Sequence, residues 1–111
     1  MIAHVVLFRP RADMTDTDRQ RLLDDLTAAV AGIPEIRRLR IGRRMVHGLP
    51  GYEQAMHEDF EYAALVEFDD VAGLRGYLAH PSHAAVARHF TGSAAVALAY
   101  DYELIDIGDR G

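Results

Sequence analysis

The chain has 111 residues, 50% of them hydrophobic and 26% charged, the size and composition of one globular domain with one modest core. A formal net charge of -5 argues against a nucleic-acid partner, since neutralising phosphates takes an excess of Lys and Arg. There is no cysteine, which excludes disulfides, thiolate metal centres and cysteine nucleophiles.

The opening run Ile2-Ala3-His4-Val5-Val6-Leu7-Phe8 has no basic segment before it and no cleavage pattern after it, and is far too short to span a bilayer. It is expected to be a strand, residues 2–9, in a cytoplasmic protein with no membrane partner. Thr15 and Asp18 form a capping pair ahead of Leu22, Leu23, Leu26, Val30 and Ile33, whose spacing predicts an amphipathic helix over about 16–31. Gly32 and Pro34 stop it. Ile36, Leu39, Ile41, Met45 and Val46 lie among arginines and predict a strand over 36–46 with imperfect alternation. The cluster Arg37, Arg38, Arg40, Arg43 and Arg44 reads first as a charged strand edge that discourages edge pairing, and second as an anion site.

Residues 47–59, with Gly48, Pro50 and Gly51, read as a long loop. Phe60, Tyr62, Ala64, Val66 and Phe68 alternate and predict a strand over 60–68. A helix over 71–79 follows, then a second from Pro81 to about Phe90, because proline suits the first turn of a helix. The last strand, about 95–106, puts Val96, Leu98, Tyr100 and Tyr102 on one face and Ala97, Ala99 and Asp101 on the other.

The order β-α-β-β-α-β predicts one ferredoxin-like α+β domain over 1–111, a four-stranded antiparallel sheet with helices on one face. Strand one is apolar on both faces: Ile2, Val6 and Phe8 on one, Val5 and Leu7 on the other. Helices cover one face only. The second would leave Val5, Leu7, Leu65, Val96, Leu98, Tyr100 and Tyr102 in water, so a homodimer formed sheet on sheet, a dimeric α/β barrel, is expected.

The densest polar cluster is Tyr77-Leu78-Ala79-His80-Pro81-Ser82-His83, with Asp101 on the last strand. With His4 in strand one, the Tyr-x-x-His-Pro-x-His passage and Tyr100-Asp101-Tyr102 near the end, the whole chain resembles the stress-responsive dimeric α/β-barrel (Dabb) domain family. One branch, the olivetolic acid cyclase type of polyketide cyclase, closes a linear poly-β-keto thioester by aldol condensation. The resemblance implies that Tyr77 and His83 are the working pair, that His4 matches a strand-one histidine, and that Asp101 matches an aspartate of the final strand. It departs at Tyr62, where that enzyme has a histidine, and at Ala97 and Ala99, where it has bulkier pocket residues.

The side-chain chemistry is coherent with this. A histidine can take an acidic proton beside a carbonyl, a tyrosine hydroxyl can donate to the enolate oxygen, and an aspartate can fix the imidazole tautomer. Catalytic roles are therefore expected for His83, Tyr77 and Asp101, with His4, Tyr62, His80 and Phe8 contacting a small-molecule ligand and no cofactor. The plainer readings stand beside these: Tyr77 as a core aromatic, His80 and His83 as turn residues, His4 as a satisfied core histidine. A metal held by His80 and His83 lacks a nearby carboxylate and is not expected. His47, His57 and His89 read as loop or surface residues. A non-catalytic stress or assembly protein and a cofactor-free monooxygenase remain as rival functions to a cyclase-like lyase.

Overall fold

The computed structural model describes residues 1–92 and 94–110. Strand β1 (Ile2–Pro10) leads to helix α1 (Asp16–Gly32), strand β2 (Ile36–Arg43), strand β3 (Tyr62–Phe68), helices α2 (Val71–Ala79) and α3 (Pro81–Gly92), and strand β4 (Ala94–Glu103). The sheet has the order β2-β3-β1-β4, antiparallel throughout, so β2 and β4 are its edges. This is the ferredoxin-like arrangement that the element order predicts, with the second helical segment divided at Pro81.

Helix α1 starts at a reciprocal capping box. The Asp18 amide donates to Thr15 Oγ1 at 3.1 Å, and the Thr15 amide donates to Asp18 Oδ2 at 3.0 Å. These bonds hold the Asp18 carboxyl below its usual range, the Thr15 amide contributing most. The helix stops at Gly32, and Ile33 caps it with its amide on the Ala29 carbonyl while its side chain enters the core. Leu22, Leu26, Ala29 and Ile33 pack on Phe8, Val66, Phe68, Leu74, Tyr77 and Val86, which together form the core between helices and sheet.

The uneven apolar spacing of β2 has a local cause. The register with β3 slips between Ile36 and Arg38, so two residues of β2 oppose one of β3. Ile36, Leu39 and Ile41 then stand across from Phe68, Val66 and Ala64 on the helix side, and Arg38 and Arg40 turn to the outer face. The strand ends at Arg43, short of the predicted 46, and Met45 and Val46 are exposed beyond it. Residues 47–59 form a loop with a short 3-10 turn at Glu53–Ala55. β4 likewise ends at Glu103 rather than 106, and residues 104–110 carry no regular structure.

Candidate active site

The site begins at the joint between α2 and α3. Asp70 caps α2 by accepting from the Gly73 amide at 2.8 Å. His80 ends that helix with extended backbone, as a residue before proline prefers, and Pro81 opens α3. The His80 ring serves this turn: its Nδ1 accepts from the Ser82 amide at 3.0 Å, which fixes the neutral tautomer with the proton on Nε2. The turn folds the end of α2 onto the start of α3. Tyr77 and His83 therefore meet edge to face, with ring centroids 4.7 Å apart and planes at 67°.

Beneath them β1 presents His4, only 5% exposed. The register with β4 sets Asp101 directly opposite, and His4 Nδ1 lies 2.6 Å from Asp101 Oδ1. With Nδ1 as donor to the carboxylate, Nε2 has no protein partner among the described residues. The Tyr77 ring stands edge-on to His4 at 5.7 Å and tilts against Phe68 at 5.3 Å, wedged between two imidazoles and the core.

Tyr77 is 2% exposed, and among the described residues its hydroxyl has no hydrogen-bond partner. No sealed side-chain polar atom there lacks a partner, so that hydroxyl keeps some contact with open space, and its residue lines a cavity. Burial pushes the phenol up to about 12, so the proton stays on the oxygen at neutral pH and the group is a donor. His83 is held below its ordinary value, first by burial and then by His4, while a hydrogen bond to the Leu78 backbone pulls the other way. It is neutral at pH 7 and available as a proton acceptor.

These groups face a cavity of about 250 Å³ between α2, α3 and the sheet. His4, Tyr77 and His83 supply its polar edge, and Val66, Leu78, Ala87, Phe90, Ala97 and Ala99 its apolar walls. The small side chains on β4 leave the space open. A smaller cavity of about 110 Å³ adjoins it under α1 and shares the walls Leu26, Ala64 and Phe90.

The structure thus brings Tyr77, His83 and His4 together around one cavity. Asp101 stands behind His4 and pairs with it rather than with His83, because strand register fixes its neighbour. Phe8 and Tyr62 line the smaller cavity, where the Tyr62 hydroxyl accepts from Arg19 Nε at 3.1 Å. His80 is absent from both linings and acts as a helix cap. Among the described residues no group of three or more His, Asp or Glu could hold a metal.

Some participants gave no signal in the sequence. The Leu78 carbonyl acts through the backbone, which no side-chain pattern reports. Phe90 divides the two cavities and packs edge to face on Phe8 at 5.2 Å. His89, expected at the surface, bonds Asp25 Oδ2 at 2.6 Å and ties α3 to α1. Four of the five clustered arginines reach carboxylates: Arg37 to Asp69, Arg40 to Glu67, Arg43 to Glu61 and Arg44 to Asp59. That pairing favours the charged-edge reading over an anion site.

Comparison with known proteins agrees with the fold. A structure of an Arabidopsis thaliana protein matches with a TM-score of 0.78 at 20% identity, covering 97% of this chain and 99% of that one. A dimeric ferredoxin-like protein of unknown function from Thermobifida fusca matches with a TM-score of 0.70 at 26% identity, covering 93% and 90%. Hydroxynitrile lyase from Passiflora edulis matches with a TM-score of 0.77 at 16% identity, covering 98% and 96%, a likeness that shows the fold alone. The curated proteins give no match. The model of the stress responsive A/B barrel domain matches residues 2–104, and the chain belongs to that family.

Proposed function

We propose that this chain is a homodimer whose subunits each bind a small, polyketide-like carbonyl compound and enolise it by acid/base chemistry of their own side chains. His83 takes the proton from the carbon beside the carbonyl, and the electron pair of that C–H bond moves to the carbonyl oxygen as it becomes an enolate. Tyr77 donates its hydroxyl hydrogen bond to that oxygen. Asp101 sets the His4 tautomer so that Nε2 can accept a second hydrogen bond from the substrate. The enolate carbon then attacks a second carbonyl of the same molecule, and the proton held by His83 passes to the new alkoxide, which balances an intramolecular aldol closure.

One observation carries this reading: a neutral imidazole and an unpartnered buried phenol touch at the edge of a largely apolar cavity that His4 and Thr91 also line. A core aromatic or a turn histidine needs no such cavity. The dimer is supported by the outer sheet face, where Leu98, Tyr100 and Tyr102 are exposed beside Val5 and Leu7, and by the dimeric relative from Thermobifida fusca. Titration with a series of linear β-diketones, followed by NMR of the ring protons of Tyr77, His4 and His83, tests the reading. Saturable shifts at those rings that vanish in His83→Gln are expected. Absence of saturable binding up to millimolar ligand across the series overturns it.

A further inference from the structure

Tyr62, Ala64 and Val66 follow one another on the helix-facing side of β3, and the register sets them opposite Phe8, Val6 and His4 of β1. His4 and Val66 line the larger cavity, Phe8 and Tyr62 the smaller one, and Ala64 lines both. The two cavities are therefore consecutive stations on one strip of sheet. Ala64, small between two larger neighbours, is the saddle that joins them, with Leu26 and Phe90 as the other shared walls. Tyr62 stands about 13 Å along the strand from Val66, which is roughly the span of a ten-atom chain.

The far station has one polar side, at Tyr62 and Arg19. The Tyr62 hydroxyl accepts from Arg19 Nε at 3.1 Å, and among the described residues it donates to nothing. Arg19 is held in place by the Met14 carbonyl at 3.3 Å, by Asp16 at 3.6 Å and by Glu61 at 3.7 Å. A phenol that accepts from a fixed cation is polarised and becomes a stronger donor. The charge around it is balanced, because Asp16 and Glu61 offset Arg19 and Arg43, the latter 3.5 Å from Glu61. What fits such a donor is a neutral acceptor: a carboxylate there would meet two carboxylates already in place, and plain alkyl would leave the hydroxyl unused. Tyr77, with its own unpartnered hydroxyl, lines the other cavity, so the strip carries a free phenolic donor toward each end and apolar wall between them.

We propose that the ligand of this site is a linear chain with neutral carbonyl groups toward both ends, the near one at Tyr77 and His83 and the far one, across Ala64, accepting a hydrogen bond from the Tyr62 hydroxyl backed by Arg19. Tyr62 is on this account a specificity-determining residue for the far end of the chain and takes no part in the proton transfer. The inference rests on the ligand-binding reading above and adds to it a length and a second polar anchor.

Tyr62→Phe keeps the ring that lies 6.1 Å from Phe8 and removes only the donor. Calorimetric titration compares two linear β-diketones of equal, twelve-carbon length, one carrying a further ketone beside its far end and one plain alkyl there. Tyr62→Phe should weaken the ketone-ended ligand about tenfold, the worth of one such bond, and change the alkyl-ended one less than about twofold. The alkyl-ended ligand also reports that the variant keeps its site. A third ligand of the same length ending in a carboxylate should bind the parent more weakly than the ketone. If the parent binds both diketones and Tyr62→Phe changes neither, or weakens both by the same factor, the second anchor is refuted and the enolisation site stands. Tightest binding by the carboxylate refutes the neutral-carbonyl assignment. A parent that binds none of the three refutes this inference together with the reading it rests on.

Discussion

Tyr77→Phe separates a working tyrosine from a structural one. The substitution keeps the ring that packs on Phe68 and leans on His83 and His4, and removes only the oxygen. That oxygen makes no hydrogen bond to any described residue, so no bond within the fold is lost. An unsatisfied buried polar group costs about 1–3 kcal/mol, less where a cavity admits water. The variant is therefore expected to be between unchanged and about 1 kcal/mol more stable than the parent, a rise in Tm of at most about 4 °C for a chain of this size. Tyr77→Ala, which empties a core position, should cost about 3–5 kcal/mol by comparison. Enolisation by Tyr77→Phe should fall about 100- to 1,000-fold, the usual loss when one donor to a developing oxyanion is removed. Denaturant unfolding of all three proteins at one fixed concentration supplies the stabilities, since dimerisation couples to unfolding. A loss of more than about 1 kcal/mol in Tyr77→Phe would show that the hydroxyl supports the fold, and the reasoning fails.

Leu98→Asp sets an unpaired charge on the apolar outer face; light scattering should return the 12.3 kDa monomer or aggregate, and an unchanged dimer contradicts the sheet-on-sheet interface. His80→Ala removes the cap of α3 and should cost about 1 kcal/mol while leaving ligand affinity intact. Lost affinity at unchanged stability would return His80 to the binding site. The depressed His83 value implies that the unfolded chain binds protons more readily over mildly acidic pH. Its contribution to stability is thus complete above the ordinary 6.5 and is lost as pH falls from there through the lower folded value. Thermal unfolding against pH should be steeper for the parent than for His83→Gln in that window, and equal slopes would contradict the burial of His83.

Much of this structure is written in periodicity and punctuation. The Thr15–Asp18 box, the stop at Gly32 and Pro34, the alternation of β3 and the break at Pro81 are local signals, and each element lies close to its expected bounds. Strand parity also sets Ala97, Ala99 and Asp101 on the face opposite Val96, Leu98, Tyr100 and Tyr102. What was not legible depends on register and on contacts between distant segments. Whether Asp101 supports His83 or His4 turns on one residue of alignment between β1 and β4. The bulge after Ile36 is invisible until β2 meets β3, which is why its alternation looks imperfect. The separation of Phe8 and Tyr62 from the Tyr77–His83 cavity follows from how Phe90 and Leu26 pack between them, a tertiary detail with no sequence period.

The central claim, that His83 and Tyr77 together remove a proton beside a carbonyl, is tested most directly by deuterium uptake. A linear ketone whose uncatalysed exchange is slow is incubated with the protein in D2O, and loss of its α-proton signal is followed by NMR. The parent protein should accelerate exchange saturably, His83→Gln should fall to the rate of buffer alone, and Tyr77→Phe should lie far below the parent. Exchange no faster than buffer with ketone shown to be bound beside His83, or equal acceleration by parent and His83→Gln, would contradict the account.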